Sequence, residues 1–249
     1  MNAPEHVITE MRQLIDVYNI EAIFFNEDNF FFDKNRAREI CYKIIDEGFD
    51  IMWGATSTTN GITKDVLEIA KEAGCRQVTF GFESGSDRIL KILRKRATVA
   101  QNYAAVKLCN DVGIIPQGTV MIGNPTETID DIRKTQEFVR TSGLNHIGVC
   151  ITTPYPGTEL WNQVRAQGKV PEEINWSNIN LDKINIRVCD TIPPKTLQKL
   201  YLETSSILSQ NEQLSFGDLI YVLKNDHKMT IDILKDPQRV KRIIKRLRL

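Results

Sequence analysis

Three groups of residues in this chain have the types and spacing to bind a charged ligand: the acidic pair Glu27-Asp28 inside Asn26-Glu-Asp-Asn29, the carboxylate of Glu83 inside Gly81-Phe-Glu-Ser-Gly-Ser86, and Lys95 between Arg94 and Arg96. Carboxylates receive cations or donate no proton of their own at neutral pH, a lysine ammonium receives anions, and Gly81, Ser84, Gly85 and Ser86 leave room for a ligand to approach the backbone. Two more small, polar stretches follow, Gly123-Asn-Pro-Thr-Glu127 and Thr153-Pro-Tyr-Pro-Gly-Thr158. Each of these stretches alone reads as a turn leading into a helix. Ser84 or Ser86 is expected to cap a helix N-terminus, with Asp87 favouring its dipole.

The elements around these stretches explain why they belong together. Val78, Phe80 and Phe82 alternate as on a strand, so Glu83 sits where that strand ends. Val7, Ile8, Met11, Leu14, Ile15 and Tyr18 stripe one helix, and Ala22-Ile-Phe-Phe25 follows as a short buried strand. Ala37, Ile40, Cys41, Ile44 and Ile45 stripe a second helix that stops at Gly48 before the strand Ile51-Met-Trp-Gly-Ala55. A helix around Val66, Leu67 and Ala70 ends at Gly74 and feeds the central strand. Ala104, Ala105, Leu108, Cys109 and Val112 share a face before the strand Thr119-Val-Met-Ile122; Ile129, Ile132, Phe138 and Val139 stripe the next helix, and Ile147 to Thr152 form a fifth strand. Strands alternating with amphipathic helices give a parallel sheet wound one way, a barrel or part of one. In such sheets ligands bind at the carboxyl ends of the strands, which is where four of these polar stretches fall, those at Asn26–Asn29, Glu83–Ser86, Gly123–Glu127 and Thr153–Thr158.

Composition narrows the function further. At 249 residues the chain is one large domain or one domain with an appendage, and 32 Lys plus Arg balance 32 Asp plus Glu. No whole-chain field draws it to nucleic acid or a membrane, so selectivity belongs to a site. The five cysteines at 41, 75, 109, 150 and 189 are scattered, with no CxxC or metal-knuckle spacing, and read as reduced thiols of a cytoplasmic protein. Trp161 to Asn185 reads as a covering loop, Pro193-Pro194 opens a helix through Leu197, Leu200, Tyr201 and Ile207, and a basic amphipathic segment holds Val240, Ile243, Ile244 and Leu247.

In order along the chain, Phe25-Asn-Glu-Asp-Asn-Phe30, Gly81-Phe-Glu-Ser-Gly-Ser86, Lys95-Arg-Ala-Thr98, Ile122-Gly-Asn-Pro-Thr-Glu-Thr128 and Pro154-Tyr-Pro-Gly-Thr158 resemble motifs of the radical SAM superfamily. The branch they are most similar to is the one often preceded by a cobalamin-binding domain. The resemblance covers roughly residues 5 to 160. It implies S-adenosylmethionine as cofactor, with Glu27 or Asp28 receiving the methionyl amine, Glu83 reaching the bound molecule beside Ser84, and Lys95 suited to its carboxylate. Gly123, Asn124 and the residues after them would support the adenine, and Thr153 would close the rim. It also implies a [4Fe-4S] cluster on a CxxxCxxC loop, the source of a 5′-deoxyadenosyl radical, and a possible cobalamin in a preceding domain. No cysteine trio of that spacing occurs in this sequence.

The expected architecture is therefore α/β: a partial parallel (β/α) barrel of the radical SAM type over residues 1–185, its first strand and cluster loop missing, followed by a helical extension over 186–249. As a fragment the chain is expected to be inactive alone, to bind S-adenosylmethionine weakly, to hold no metal, and to self-associate through an uncovered edge at Ala22 to Phe25. Two other readings compete. One is a degenerate barrel that binds a nucleoside or a protein partner without catalysis. The other is an ordinary lyase or aldolase barrel, for which His146 is the one candidate base near a strand.

Overall fold

The computed structural model describes residues 2–176 and 179–209. In chain order the described elements are α1 (Pro4–Tyr18), β1 (Ala22–Phe25), α2 (Lys34–Asp46), β2 (Met52–Ser57), α3 (Lys64–Glu72), β3 (Cys75–Glu83), α4 (Asp87–Ile92), α5 (Val99–Val112), β4 (Ile115–Ile122), α6 (Ile129–Thr141), β5 (His146–Ile151), α7 (Glu159–Ala166) and α8 (Pro194–Ser209). The five strands pair in sequence order and all in parallel. Each connection then crosses in the same right-handed sense, which puts the crossover helices on one face of the sheet and leaves the other face as the concave wall of a partial barrel.

Strand periodicity decides which side chains meet the helices. Val78, Phe80 and Phe82 are fully buried, as are Val120 and Ile122 of β4, whereas their alternates are half-buried or exposed. Phe82 meets Phe138 of α6 edge-on, with ring centroids 5.1 Å apart, and Phe138 meets Tyr103 of α5 at 5.0 Å. On β2, Trp53 packs edge-on against Phe25, and its indole donates to the Ala73 carbonyl at 2.8 Å, which pairs the one polar atom of a buried ring. Cys41, Cys75 and Cys109 are fully buried in the same cluster, and burial pushes each thiol up to about 12. They are packing residues with no thiolate at neutral pH.

Caps fix the helix starts at the carboxyl rim. Asp33 accepts from the amides of Asn35 and Arg36 at the start of α2, and Thr98 with Gln101, then Thr128 with Asp131, close capping boxes on α5 and α6. Thr158 caps α7 through the Trp161 amide.

Several local expectations change. The strand expected at 119–122 begins at Ile115, because Pro116, lacking an amide proton, still fits the parallel ladder. In α5 the buried face is Asn102, Ala105, Val106 and Cys109, and Ala104 is exposed. The packing of α1 fades toward its end: Val7, Ile8 and Met11 are buried and Ile15 is partly buried against the same core, while Tyr18 is 67% exposed. The stretch from Trp161 is no simple loop, since Glu159–Ala166 is helical before the chain returns to the sheet, where the Ile151 amide donates to the Leu181 carbonyl at 2.7 Å. Cys189, Ile192, Leu197 and Leu200 share an apolar cluster with Ile122, Ile132 and Ile151. The basic segment with Val240 to Leu247 lies outside the described residues.

Gly118 shows how closely a β3 side chain lies over its neighbour β4. A Cβ there would overlap the Phe82 ring and the Phe80 carbonyl oxygen. We expect Gly118→Ala to destabilise the protein by about 2 kcal/mol, read as a lower urea midpoint at unchanged slope.

Candidate functional site

The carboxyl ends of β1 to β5 bring together the four polar stretches and thus most of the expected residues. The decisive local feature is at the end of β3. Gly81 pairs with Thr119, but Glu83 pairs with Val120, so one residue is inserted and the ladder bulges. Glu83 itself has φ 64°, left-handed backbone that a non-glycine residue adopts only when the surroundings impose it. Together the bulge and the left-handed turn fold the Glu83 carboxylate back over Gly81. A Cβ on Gly81 would stand 2.7 Å from Glu83 Oε1, so only glycine admits this pose. Lys95 Nζ donates to the same oxygen at 2.9 Å, and both side chains remain about one-fifth to one-quarter exposed (20% and 24%). A partly exposed carboxylate and ammonium, side by side at a strand end, offer charges of both signs to a ligand.

Ser84 lies beside this pair in sequence and yet serves another purpose. It is fully buried, its hydroxyl shares a hydrogen bond with Thr135 at 3.1 Å and accepts from the Ser86 amide, so it fastens the turn and does not face the rim. Gly85 donates to Thr135 Oγ1 at 2.9 Å, and a Cβ on Gly85 would stand 2.5 Å from the Lys134 carbonyl oxygen. The helix cap expected from Ser84 or Ser86 is absent. Ser86 occupies the cap position of α4 without a capping bond, since its hydroxyl donates to Asp131 Oδ1 at 2.6 Å.

At the end of β1 the acidic pair divides. Glu27 receives both guanidinium nitrogens of Arg36, at 2.8 and 3.3 Å, and Arg36 is buried with its Nε donating to the Asn2 carbonyl. Asp28 is exposed. With Asn2, Asn29 and Phe32 the two acids line an open depression of about 420 Å3. Asp28 is therefore the residue of the pair placed to meet a ligand cation, two strand spacings, or about 10 Å, from the β3 end.

The β4 and β5 ends are built around a buried acid. Glu127 Oε2 accepts from the amides of Gly123, at 2.6 Å, and Asn124, at 3.0 Å. Asn124 is fully buried and ties the Met121 carbonyl to Thr152, whose hydroxyl donates to Asn124 Oδ1 at 2.8 Å. Gly123 has φ 80° and lies against Leu197 of α8. Thr153 donates to the Ile151 carbonyl at 3.1 Å and accepts a 3.4 Å contact from Asn185. Gly123 and Asn124 thus present backbone to the rim, with their side-chain chemistry turned inward. Burial pushes the Glu127 carboxyl up to about 7, against the three donors that favour its charged form. Asp131 goes the other way: burial would raise it, but Arg88, Ser86 and Thr128 hold it well below the usual carboxylate range. The inward network of Glu127, Asp131, Arg88 and Thr135 is not anticipated from the motifs, although the Thr128-x-x-Asp131 spacing carries its capping signature.

His146 opens β5 at its amino end, level with Thr79 and Gln117 and two rows below the Glu83 end of β3, away from the carboxyl rim where the lyase or aldolase reading would need its base.

The family model of the Radical SAM superfamily matches residues 2–139, more than half of the 249. The chain belongs to the radical SAM superfamily. An uncharacterized methyltransferase of Pyrococcus horikoshii is 38% identical over 172 residues, 69% of this chain and 37% of that protein. The cytidylyl-2-hydroxyethylphosphonate methyltransferase of Streptomyces wedmorensis is 27% identical over 68% of this chain and 33% of its own length. The chain thus spans about a third of the length of these relatives. Among solved structures, the radical S-adenosylmethionine methyltransferase TsrM from Kitasatospora setae, with cobalamin and a [4Fe-4S] cluster bound, superposes with a TM-score of 0.60 at 17% identity over 66% of this chain and 34% of that chain. That likeness is one of fold.

As a radical SAM chain it has S-adenosylmethionine and a [4Fe-4S] cluster as its family cofactors, and the two fit its residues differently. The rim suits a zwitterionic cofactor: Asp28, Glu83 and Lys95 offer charges of both signs. The cysteines do not suit a cluster. Four of the five are buried, three of those with thiols pushed to about 12, and the described residues hold no group of three or more His, Cys, Asp or Glu arranged for a metal. Among the described residues no helix is long and apolar enough to cross a membrane.

Glu127 yields a test of the β4 end. A buried carboxyl whose folded pKa is raised contributes stability below its unfolded pKa near 4.5 that is lost as pH rises through about 7. Relative to Glu127→Gln, the natural protein is expected to lose roughly 2 to 3 kcal/mol between pH 5 and pH 8, measured by urea denaturation at each pH; parallel pH profiles would show that Glu127 ionises normally.

Proposed function

We propose that this chain supplies the S-adenosylmethionine-binding part of a longer cytoplasmic radical SAM enzyme of the methyl-transferring kind. The observation that carries the reading is the Glu83–Lys95 pair, folded over Gly81 at the bulged end of β3. The methionyl end of S-adenosylmethionine is itself a zwitterion. Lys95 turns from Glu83 to its carboxylate, Asp28 accepts from its ammonium, and Glu83 becomes free to accept from other donors of the bound molecule. The backbone at Gly123 and Asn124, held by Glu127, supports the adenine, and Thr153 closes the rim at β5. The cluster ligands lie outside these 249 residues, so the chain alone binds the cofactor weakly and does not turn over. When bound in the whole enzyme the cluster supplies reductive cleavage of the cofactor. The methyltransferase relatives support the reaction class, and their greater length supports the fragment reading. A cobalamin in a preceding domain fits the same pattern.

The unsuitability of the cysteines favours a second reading, a nucleoside-binding barrel without catalysis. The two readings share the rim and differ in what accompanies it. Calorimetry with S-adenosylhomocysteine tests the shared part: we expect weak binding that falls about tenfold, or roughly 1.4 kcal/mol, in Glu83→Ala and comparably in Lys95→Ala. Binding indifferent to both substitutions removes the pair from the site. Joining the chain to a CxxxCxxC-bearing segment separates the readings, because only the enzyme reading expects cofactor cleavage on reduction.

The outer edge of β1 belongs to the same proposal. Among the described residues β1 pairs with β2 alone, and Phe24 is 47% exposed. Unpaired apolar edges associate. Sedimentation should show concentration-dependent dimers that Phe24→Lys shifts to monomer; an unchanged distribution in that variant excludes the edge.

A further inference from the structure

Parallel register places the concave side chains in level rows, and the chemistry of those rows changes with depth. Below the Glu83–Lys95 pair lies the row Gly81, Thr119 and Gly148. The next row is Thr56, Thr79, Gln117 and His146, and the one beneath it Phe24, Gly54, Gln77 and Ile115. Alternation puts all of these on the face away from the helices, since Val78, Phe80, Val120 and Ile147 between them are buried. Rows two residues apart are spaced about 6.6 Å. The upper row is therefore a low shelf of two glycines and one threonine, the middle row is polar and hydrogen-bonding, and the lower row is apolar at its two ends, with Phe24 47% and Ile115 44% exposed beside Met52 at 49%. Phe24, Met52 and Gly54 also line an open depression of about 380 Å3.

Two features of the middle of the face point to a ligand. Thr119 is exposed and Gln117 half-buried, and neither makes a side-chain hydrogen bond among the described residues; Thr79 accepts only from Gln77, at 3.2 Å. Between the rim pair and the lower row no Asp, Glu, Lys or Arg stands on the face; Arg76, at the amino end, lies beside Gln77. His146, at the β5 end of the middle row, is the one titratable side chain at that level among the described residues; a carboxylate or phosphate brought against Thr79, Gln117 and Thr119 meets no Lys or Arg there and loses hydration, whereas an amide or hydroxyl finds donors and acceptors.

We propose that Thr79, Gln117 and Thr119 select the substrate, and that its part lying against them is uncharged and hydrogen-bonding, an amide, lactam or alcohol, continued by an apolar portion over Phe24 and Ile115. Carboxylates and phosphates are rejected at this depth. The inference rests on the proposed function in taking the rim for the cofactor and the face below it for the substrate.

Benzamide and benzoate are matched probes, equal in shape and different in charge, and the Gln117 side-chain amide resonance reports contact with the middle row. In the full chain, millimolar benzamide should shift that resonance and benzoate should bind at least tenfold more weakly there. Thr79→Val should weaken benzamide severalfold. Thr119→Lys, at an exposed position that does not threaten folding, should reverse the preference toward benzoate. Equal binding of the two probes at Gln117, or a Thr119→Lys variant that still prefers benzamide, overturns the proposal. S-adenosylhomocysteine measured alongside keeps the two readings apart: lost probe selectivity with that nucleoside still bound overturns the assignment of the face alone, and retained selectivity without nucleoside binding supports the face and overturns the rim.

Discussion

One hydroxyl, that of Thr135, holds the turn on which the site depends. It accepts from the Gly85 amide, meets the Ser84 hydroxyl, and donates to the Asp131 carbonyl one helical turn back in α6. Buried polar groups of a tight turn must be paired, and a turn leaving the centre of a parallel sheet has no water to pair with. With Ser84 and Gly85 bound to α6, the chain has to leave β3 abruptly. The bulge and the left-handed Glu83 are the consequence, and they aim the carboxylate at the concave side. Strain at Glu83 is thus sustained by hydrogen bonds made two residues later, on a different helix.

The same helix start ties neighbouring parts of the rim together. Asp131 closes the capping box of α6 with Thr128, accepts from Ser86, and pairs with Arg88, whose guanidinium also donates to the Thr126 carbonyl at 2.8 Å. The β3 and β4 loops are thereby fixed to one carboxylate. Arg94, also in left-handed backbone, pairs through both nitrogens with Glu159 at 2.6 and 3.0 Å, and so joins the loop that carries Lys95 to the first turn of α7. Exposed pairs of this kind add little stability. What they do restrict is the direction from which Lys95 reaches Glu83, and a receptor of two opposite charges depends on direction more than on strength.

The parts legible in the sequence are those set by local periodicity and turn chemistry. The apolar run Ala22 to Phe25 marked β1 to the residue, although the strand expected to be buried has no buried residue because, among the described residues, only β2 flanks it; alternation placed Val78, Phe80 and Phe82 inward, and the Gly- and Asn-rich stretches marked the rim. What escaped depended on partners distant in the chain. Ser84 looks like a ligand or cap residue until Thr135, fifty-one positions away, takes its hydroxyl. Glu27 looks equivalent to Asp28 until Arg36 takes both its oxygens. Ala104 and Tyr18 fit apolar stripes and are nonetheless exposed, because a stripe read from spacing does not say which of its members meets a neighbouring element. The concave rows were equally hidden, because residues such as Thr79, Gln117 and Thr119 acquire a common level only through parallel register.

Register also explains why the rim and the face below it can carry different chemistry without conflict. In a parallel sheet every strand meets its neighbours at a fixed level, so a row across four strands shares one depth, and changing one row leaves the next in place. The charged pair sits above a row whose members are Gly81, Thr119 and Gly148, and the two glycines keep side chains from filling the space between pair and face. Gly148 is held to that size by Thr119, whose Cγ2 would stand 3.1 Å from an added Cβ. A molecule bound at the rim and another lying on the face would therefore meet across this shelf with little protein between them, which is the condition for one to react with the other. Residues larger than glycine at positions 81 and 148 would separate the two levels, and the Glu83 carboxylate, which rests on Gly81, would be the first group displaced.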